Sequence, residues 1–149
     1  MNKVRVENLI EGLCAIPDEE FTCDNVYRFL GENPVEVETI TPYFFWSERC
    51  YTRNLIYKDA RFELMAICWE KGQTSRVHNH AEQRCWMTVP LGKLRGQNFS
   101  VLEIDEEKGF CKLKETDRFD LSDCLAQRSV RAQLARRVNR FASDARSGG

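Results

Sequence analysis

The sequence predicts a mainly β, α+β chain: short N-terminal helices, then a meander of short strands forming an antiparallel barrel or sandwich. Three observations carry this expectation. Helical spacing of apolar residues opens the chain; from Tyr51 onward, β-branched and aromatic residues run in short stretches; and glycine turns separate those stretches. The 149 residues suit one domain with a true core, at 42% apolar and 11% aromatic content. Within it a helical segment is expected over 1–50, barrel strands over 51–120 and a divergent basic tail over 121–149.

Val6, Leu9, Ile10 and Leu13 predict a first helix over 3–14. Thr22 or Asp24 can cap a second helix through Asn25–Leu30, which Gly31 and Pro34 should end. The aromatic run Tyr43-Phe44-Phe45-Trp46 is expected to pack against the main body. Arg53–Tyr57 and Phe62–Trp69 read as the arms of a hairpin around Lys58-Asp59-Ala60. Gly72–Ser75 forms a turn; Cys85–Leu91, Leu94–Ile104 and Phe110–Leu113 read as further strands, with Gly92 and Gly109 near turns. At the end, Val130, Leu134, Val138 and Phe141 fall at helical spacing, so Ser129–Phe141 reads as a short basic helix.

Composition narrows the function classes. No apolar run approaches a membrane span, and the start lacks the hydrophobic stretch of a signal peptide, so a cytoplasmic protein with no membrane partner is expected. Seven cysteines, odd in number and never two or three apart, argue against a zinc ribbon or a thioredoxin-like pair and fit free thiols in a reducing compartment. Net charge is −1, yet residues 127–149 hold six arginines and one acid, a balance of +5. With one aromatic (Phe141) and no interleaved stacking residues, that tail is a poor nucleic-acid surface, and no nucleic-acid partner is expected.

The chain has two histidines, His78 and His80. At i, i+2 on a strand both imidazoles face the same side, as two ligands of one metal require, although imidazole suits iron, zinc, copper and nickel alike. Their surroundings are more specific: Gly72, five residues, His78-Asn79-His80, four residues, Cys85, six residues, Gly92, all preceded by Tyr51-Thr52-Arg53-Asn54-Leu55 and Leu64–Trp69. Together these motifs resemble the cysteine dioxygenases of the thiol dioxygenase family, in the cupin superfamily. The similarity runs from about Tyr51 to Phe99.

The resemblance implies a cupin-type antiparallel barrel after the N-terminal helices, and an Fe(2+) enzyme converting L-cysteine and O2 to cysteine sulfinic acid. It places His78 and His80 on the metal, and Arg53 on the substrate carboxylate with Tyr51 beside it. Cys85 matches a cysteine that some members link covalently to a tyrosine. All four tyrosines here precede the histidines, whereas the family's partner lies C-terminal, so no such link is expected. Related thiols such as 3-mercaptopropionate form an alternative substrate class, and the chain is expected to act as a monomer.

The departures are as informative as the matches. The family's third histidine ligand lies downstream, and no histidine follows His80. Glu82, next in the alternation, could complete a two-histidine, one-carboxylate set. The closing strands of the barrel are not recognisable, and the resemblance fades after roughly Asp120, which reads as a truncated or frame-altered end. A competing expectation is therefore a non-catalytic cupin remnant that binds metal weakly, or a small ligand. A third is an aggregation-prone fragment with an open sheet edge.

Overall fold

A computed structural model describes residues 2–78, 84–128 and 137–143, the backbone alone for 123–128 and 137–143. Helix α1 (Val6–Ala15) buries Val6, Leu9 and Leu13 along one stripe, the side of the helix that the sequence period marks as apolar. Helix α2 (Cys23–Glu32) starts where the Thr22 side chain accepts the Asn25 backbone N–H at 3.3 Å. It runs through Gly31 and ends at Asn33, whose backbone and side-chain N–H groups both reach the Phe29 carbonyl, at 3.0 and 2.8 Å. A four-residue helix α3 (Val37–Ile40) follows, and the Thr39 hydroxyl accepts from the Val6 backbone N–H at 3.0 Å.

Strands β1 (Thr52–Lys58) and β2 (Glu63–Cys68) form the expected hairpin. Asp59 organises its turn: one carboxylate oxygen accepts the backbone N–H groups of Arg61 and Phe62 at 2.7 and 2.9 Å. Arg61 then ties the hairpin to the helices. It donates to the carbonyls of Cys14 and Ile16 at 2.9 and 2.7 Å and to Asp18 at 3.1 Å, and it lies over the Phe21 ring at 4.9 Å. Phe21, Tyr57, Phe62 and Trp86 form a chain of ring contacts between 5.3 and 6.4 Å, joining this layer to the start of the next strand. Leu9, Leu13 and Val26 make the buried centre, with Phe29, Phe62, Leu64 and Trp86 packed around them.

Beyond the hairpin the sequence expectation needs three corrections. Cys85–Leu91 and Leu94–Ile104 are not two strands but parts of one, β3 (Trp86–Asp105), because Gly92 at φ 80° is absorbed as a bulge rather than a turn. Strand β4 (Phe110–Arg128) runs fifteen residues past the expected Leu113, pairing along β3 back to Trp86↔Arg128. The C-terminal helix is also wrong in its second half: Arg137–Ser143 is strand β5, paired antiparallel on the other edge of β3 from Leu94↔Ser143 to Ser100↔Arg137. The free backbone groups of that edge outweigh a helical spacing in a segment that also carries β-branched Val138. Residues 129–136 of the expected helix lie outside the described residues.

The result is mainly strand with short helices, in two antiparallel sheets of order β1-β2 and β4-β3-β5. Among the described residues the sheets do not close into a barrel. The aromatic run splits: Tyr43 and Phe44 are half-buried, whereas Phe45 and Trp46 stay exposed, counter to the expected packing of the whole segment. Among the described residues no helix is long and apolar enough to cross a membrane.

Candidate metal and thiol site

Alternation along β1 sets the site. Thr52 and Asn54 point toward the body, where the Thr52 hydroxyl donates to the Phe45 carbonyl and the Asn54 amide donates to Thr52 Oγ1 at 3.0 Å and to Cys68 Sγ at 3.5 Å. Arg53 and Leu55 therefore point the other way and are exposed. The register pairs Arg53 with Ile67 and Leu55 with Met65, so these four side chains share one face. One step beyond the ladder, Tyr51 and Trp69 stack with centroids 4.1 Å apart and planes 10° from parallel.

The Arg53 guanidinium reaches Met65 Sδ at 3.9 Å, a weak contact that a carboxylate would displace. Arg53 also lies in electrostatic range of Cys85, which sits in the connection just before β3. Burial pushes the Cys85 thiol up, and the nearby guanidinium partly opposes this. Arg53 and Cys85, thirty-two residues apart in the chain, thus lie within electrostatic range of each other.

His78 lies in the same connection, beyond the turn at Glu70–Gln73. There Gly72 has φ 83°, and the Gln73 backbone N–H closes on the Glu70 carbonyl at 3.0 Å. Its Nδ1 is 2.7 Å from the Arg76 carbonyl oxygen. A carbonyl can only accept, so Nδ1 carries a proton, which leaves Nε2 as the ring nitrogen that can offer a lone pair. Metal-binding imidazoles are commonly oriented by such a bond. His80 and Glu82 lie outside the described residues, and among the described residues no three of His, Cys, Asp and Glu gather as a ligand set. The donor chemistry of His78 fits a metal-bound imidazole; no third ligand is identified.

Two of the four tyrosines have partners in ring stacking or hydrogen bonding. Tyr51 stacks on Trp69, and Tyr57 accepts from the Cys14 thiol and donates to Asp59, both at 3.4 Å. Its bond with Cys14, then burial, holds the Tyr57 hydroxyl up at about 12. Two residues of the Arg53 face, Met65 and Trp69, were not singled out from sequence as site residues. Strand alternation combined with the hairpin register was the signal that could have found them.

This mainly β architecture of short helices and antiparallel sheets has the outline of a cupin-type fold. The cysteine dioxygenase type I family model matches residues 18–142, and the chain belongs to that family. The match extends past Asp120, where resemblance was expected to fade, and into β5. The chain is 37% identical over 69 residues to cysteine dioxygenase type 1 of Rattus norvegicus, covering 46% of this chain and 33% of the relative. It is equally similar to the Mus musculus protein, and 35% identical to that of Homo sapiens over 51 residues, 34% of this chain and 26% of the relative. These alignments span a third or less of the curated relatives' length.

Proposed function

We propose that this chain is a cytoplasmic, iron-dependent thiol dioxygenase that adds both atoms of O2 to the sulfur of L-cysteine. The reaction balances as R–SH plus O2 giving R–SO2H, with no external reductant. The observation that carries this reading is Arg53. It is an exposed guanidinium on the β1–β2 hairpin, within the electrostatic reach of Cys85, in a chain of the cysteine dioxygenase type I family. Its planar fork would hold the substrate carboxylate through two charge-assisted hydrogen bonds, fixing direction as well as affinity. Tyr51, next to it on the same face, would supply a hydroxyl to the bound amino acid.

His78 and His80 would hold Fe(2+), with the Arg76 carbonyl keeping the His78 ring in the tautomer whose Nε2 can ligate. Bound ferrous iron supplies the one-electron chemistry that ground-state O2 requires. The chain's own residues do the rest: Arg53 and Tyr51 orient the thiol beside the apolar side chains of Leu55, Met65 and Ile67. We place the site on residues 51–120 of one domain, acting as a monomer.

The test is anaerobic iron loading followed by O2 uptake on addition of L-cysteine. About one iron per chain, with sulfinic acid formed mole for mole with O2 consumed, supports the reading. Protein that takes up no iron and leaves L-cysteine unoxidised sinks it. A second reading, a non-catalytic member that binds metal or a small ligand, is favoured by the lack of any histidine besides the pair. Iron or ligand binding without O2 uptake would select it.

A further inference from the structure

We infer that Trp69 is a positioning residue for the thiol substrate, acting through Tyr51. The inference rests on the proposed thiol-binding role of the Arg53 face and deepens it. Tyr51 precedes β1 and lacks the ladder bonds that fix Arg53 two residues later. What fixes its ring is Trp69, in the position that extends the register one step beyond Thr52↔Cys68. The two rings lie 4.1 Å apart at 10°, a close and nearly parallel stack, and both are half-buried.

Such a stack restricts the phenol to sliding within its own plane. The hydroxyl, at the ring's edge, is then held at one height above the sheet while Arg53 anchors the other end of a small zwitterion. The cross-strand pairs give the face a graded floor: Tyr51 on Trp69, Arg53 beside Ile67, Leu55 beside Met65. Removing the indole would free the tyrosine ring without touching the carboxylate clamp. Trp69 itself need not contact substrate.

The experiment is a double-mutant cycle on the iron-loaded full chain with Y51F, W69L and the pair combined. Loss of the stack in W69L should raise KM for L-cysteine several-fold, up to about tenfold, with a smaller change in kcat. W69F, which keeps a flat ring, should recover most of the loss. Y51F should resemble W69L, and the double variant should be no worse than the worse single. Independent, multiplying losses would overturn the inference, as would a wild-type KM in W69L. If W69L fails to unfold cooperatively, W69M replaces it in the cycle. If the wild-type chain binds L-cysteine without oxidising it, the enzyme reading fails and the same cycle is run on anaerobic binding by calorimetry. A wild-type chain that does neither overturns both.

Discussion

The two faces of the β1–β2 hairpin carry similar chemistry and meet different fates. The inner face places Leu64, Ala66 and Cys68 toward the body, with Ala66 and Cys68 at 8% and 3% exposure. The outer face carries Leu55 and Ile67 at 54% and 42% exposure, flanking Arg53. Aliphatic side chains alone do not decide burial; the partner layer does. The α1–α2 pair, tied in by Arg61 and the aromatic chain, packs on Phe62 and Leu64 of the hairpin. Among the described residues the outer side stays exposed, and its apolar residues flank Arg53 instead of filling a core.

This contrast can be broken from either side. The largest effect is expected at the covered face. Leu13→Ala empties a site 4% exposed, and it should cost about 3 kcal/mol of unfolding free energy, read by urea denaturation. A loss below about 1 kcal/mol would mean that the helices only rest on the hairpin. On the open face Arg53→Lys should leave stability within about 0.5 kcal/mol yet lower kcat/KM for L-cysteine roughly 10–100-fold. Unchanged turnover would remove Arg53 from the site.

Acid sharpens the comparison where the two faces join. The backbone N–H of Phe62, then that of Arg61, holds the Asp59 carboxyl below the usual range. A depressed carboxylate stabilises the fold above its unfolded pKa, and that contribution is lost as pH falls through the folded value. The thermal midpoint should therefore drop on acidification below about pH 4, and Asp59→Asn should flatten that drop while lowering the midpoint at neutral pH. An identical acid profile in the variant would assign the transition to other carboxylates. The smallest effect belongs to Leu55→Ser, expected to shift stability by less than about 0.5 kcal/mol. A larger loss would show that the outer face is packed rather than open.

Much of this was legible from local signals. Of Thr22 and Asp24, the two caps open to α2, Thr22 is the one that caps it, and Gly72 and Gly109 sit at turns where φ is positive. Gly92 carries the same signal, yet its φ of 80° makes a bulge inside β3. A positive φ names the residue type and not whether pairing resumes beyond it. The motif around Arg53, His78 and Cys85 could be read because strand spacing and ligand chemistry both constrain it. Trp69 is legible only once strand alternation is combined with the hairpin register, which sets it opposite Tyr51.

The amino-acid order by itself determined the helical start, the hairpin, the family motif and the pair of imidazoles, because each follows from neighbours within a few positions. Only the tertiary structure decided that Arg137–Ser143 joins β3 as a strand, that one hairpin face is covered, and that Tyr51 rests on an indole. The physical reason is that sheet edges, burial and ring stacking are settled by segments distant in the chain. Their free energies exceed the few tenths of a kcal/mol by which local propensities differ.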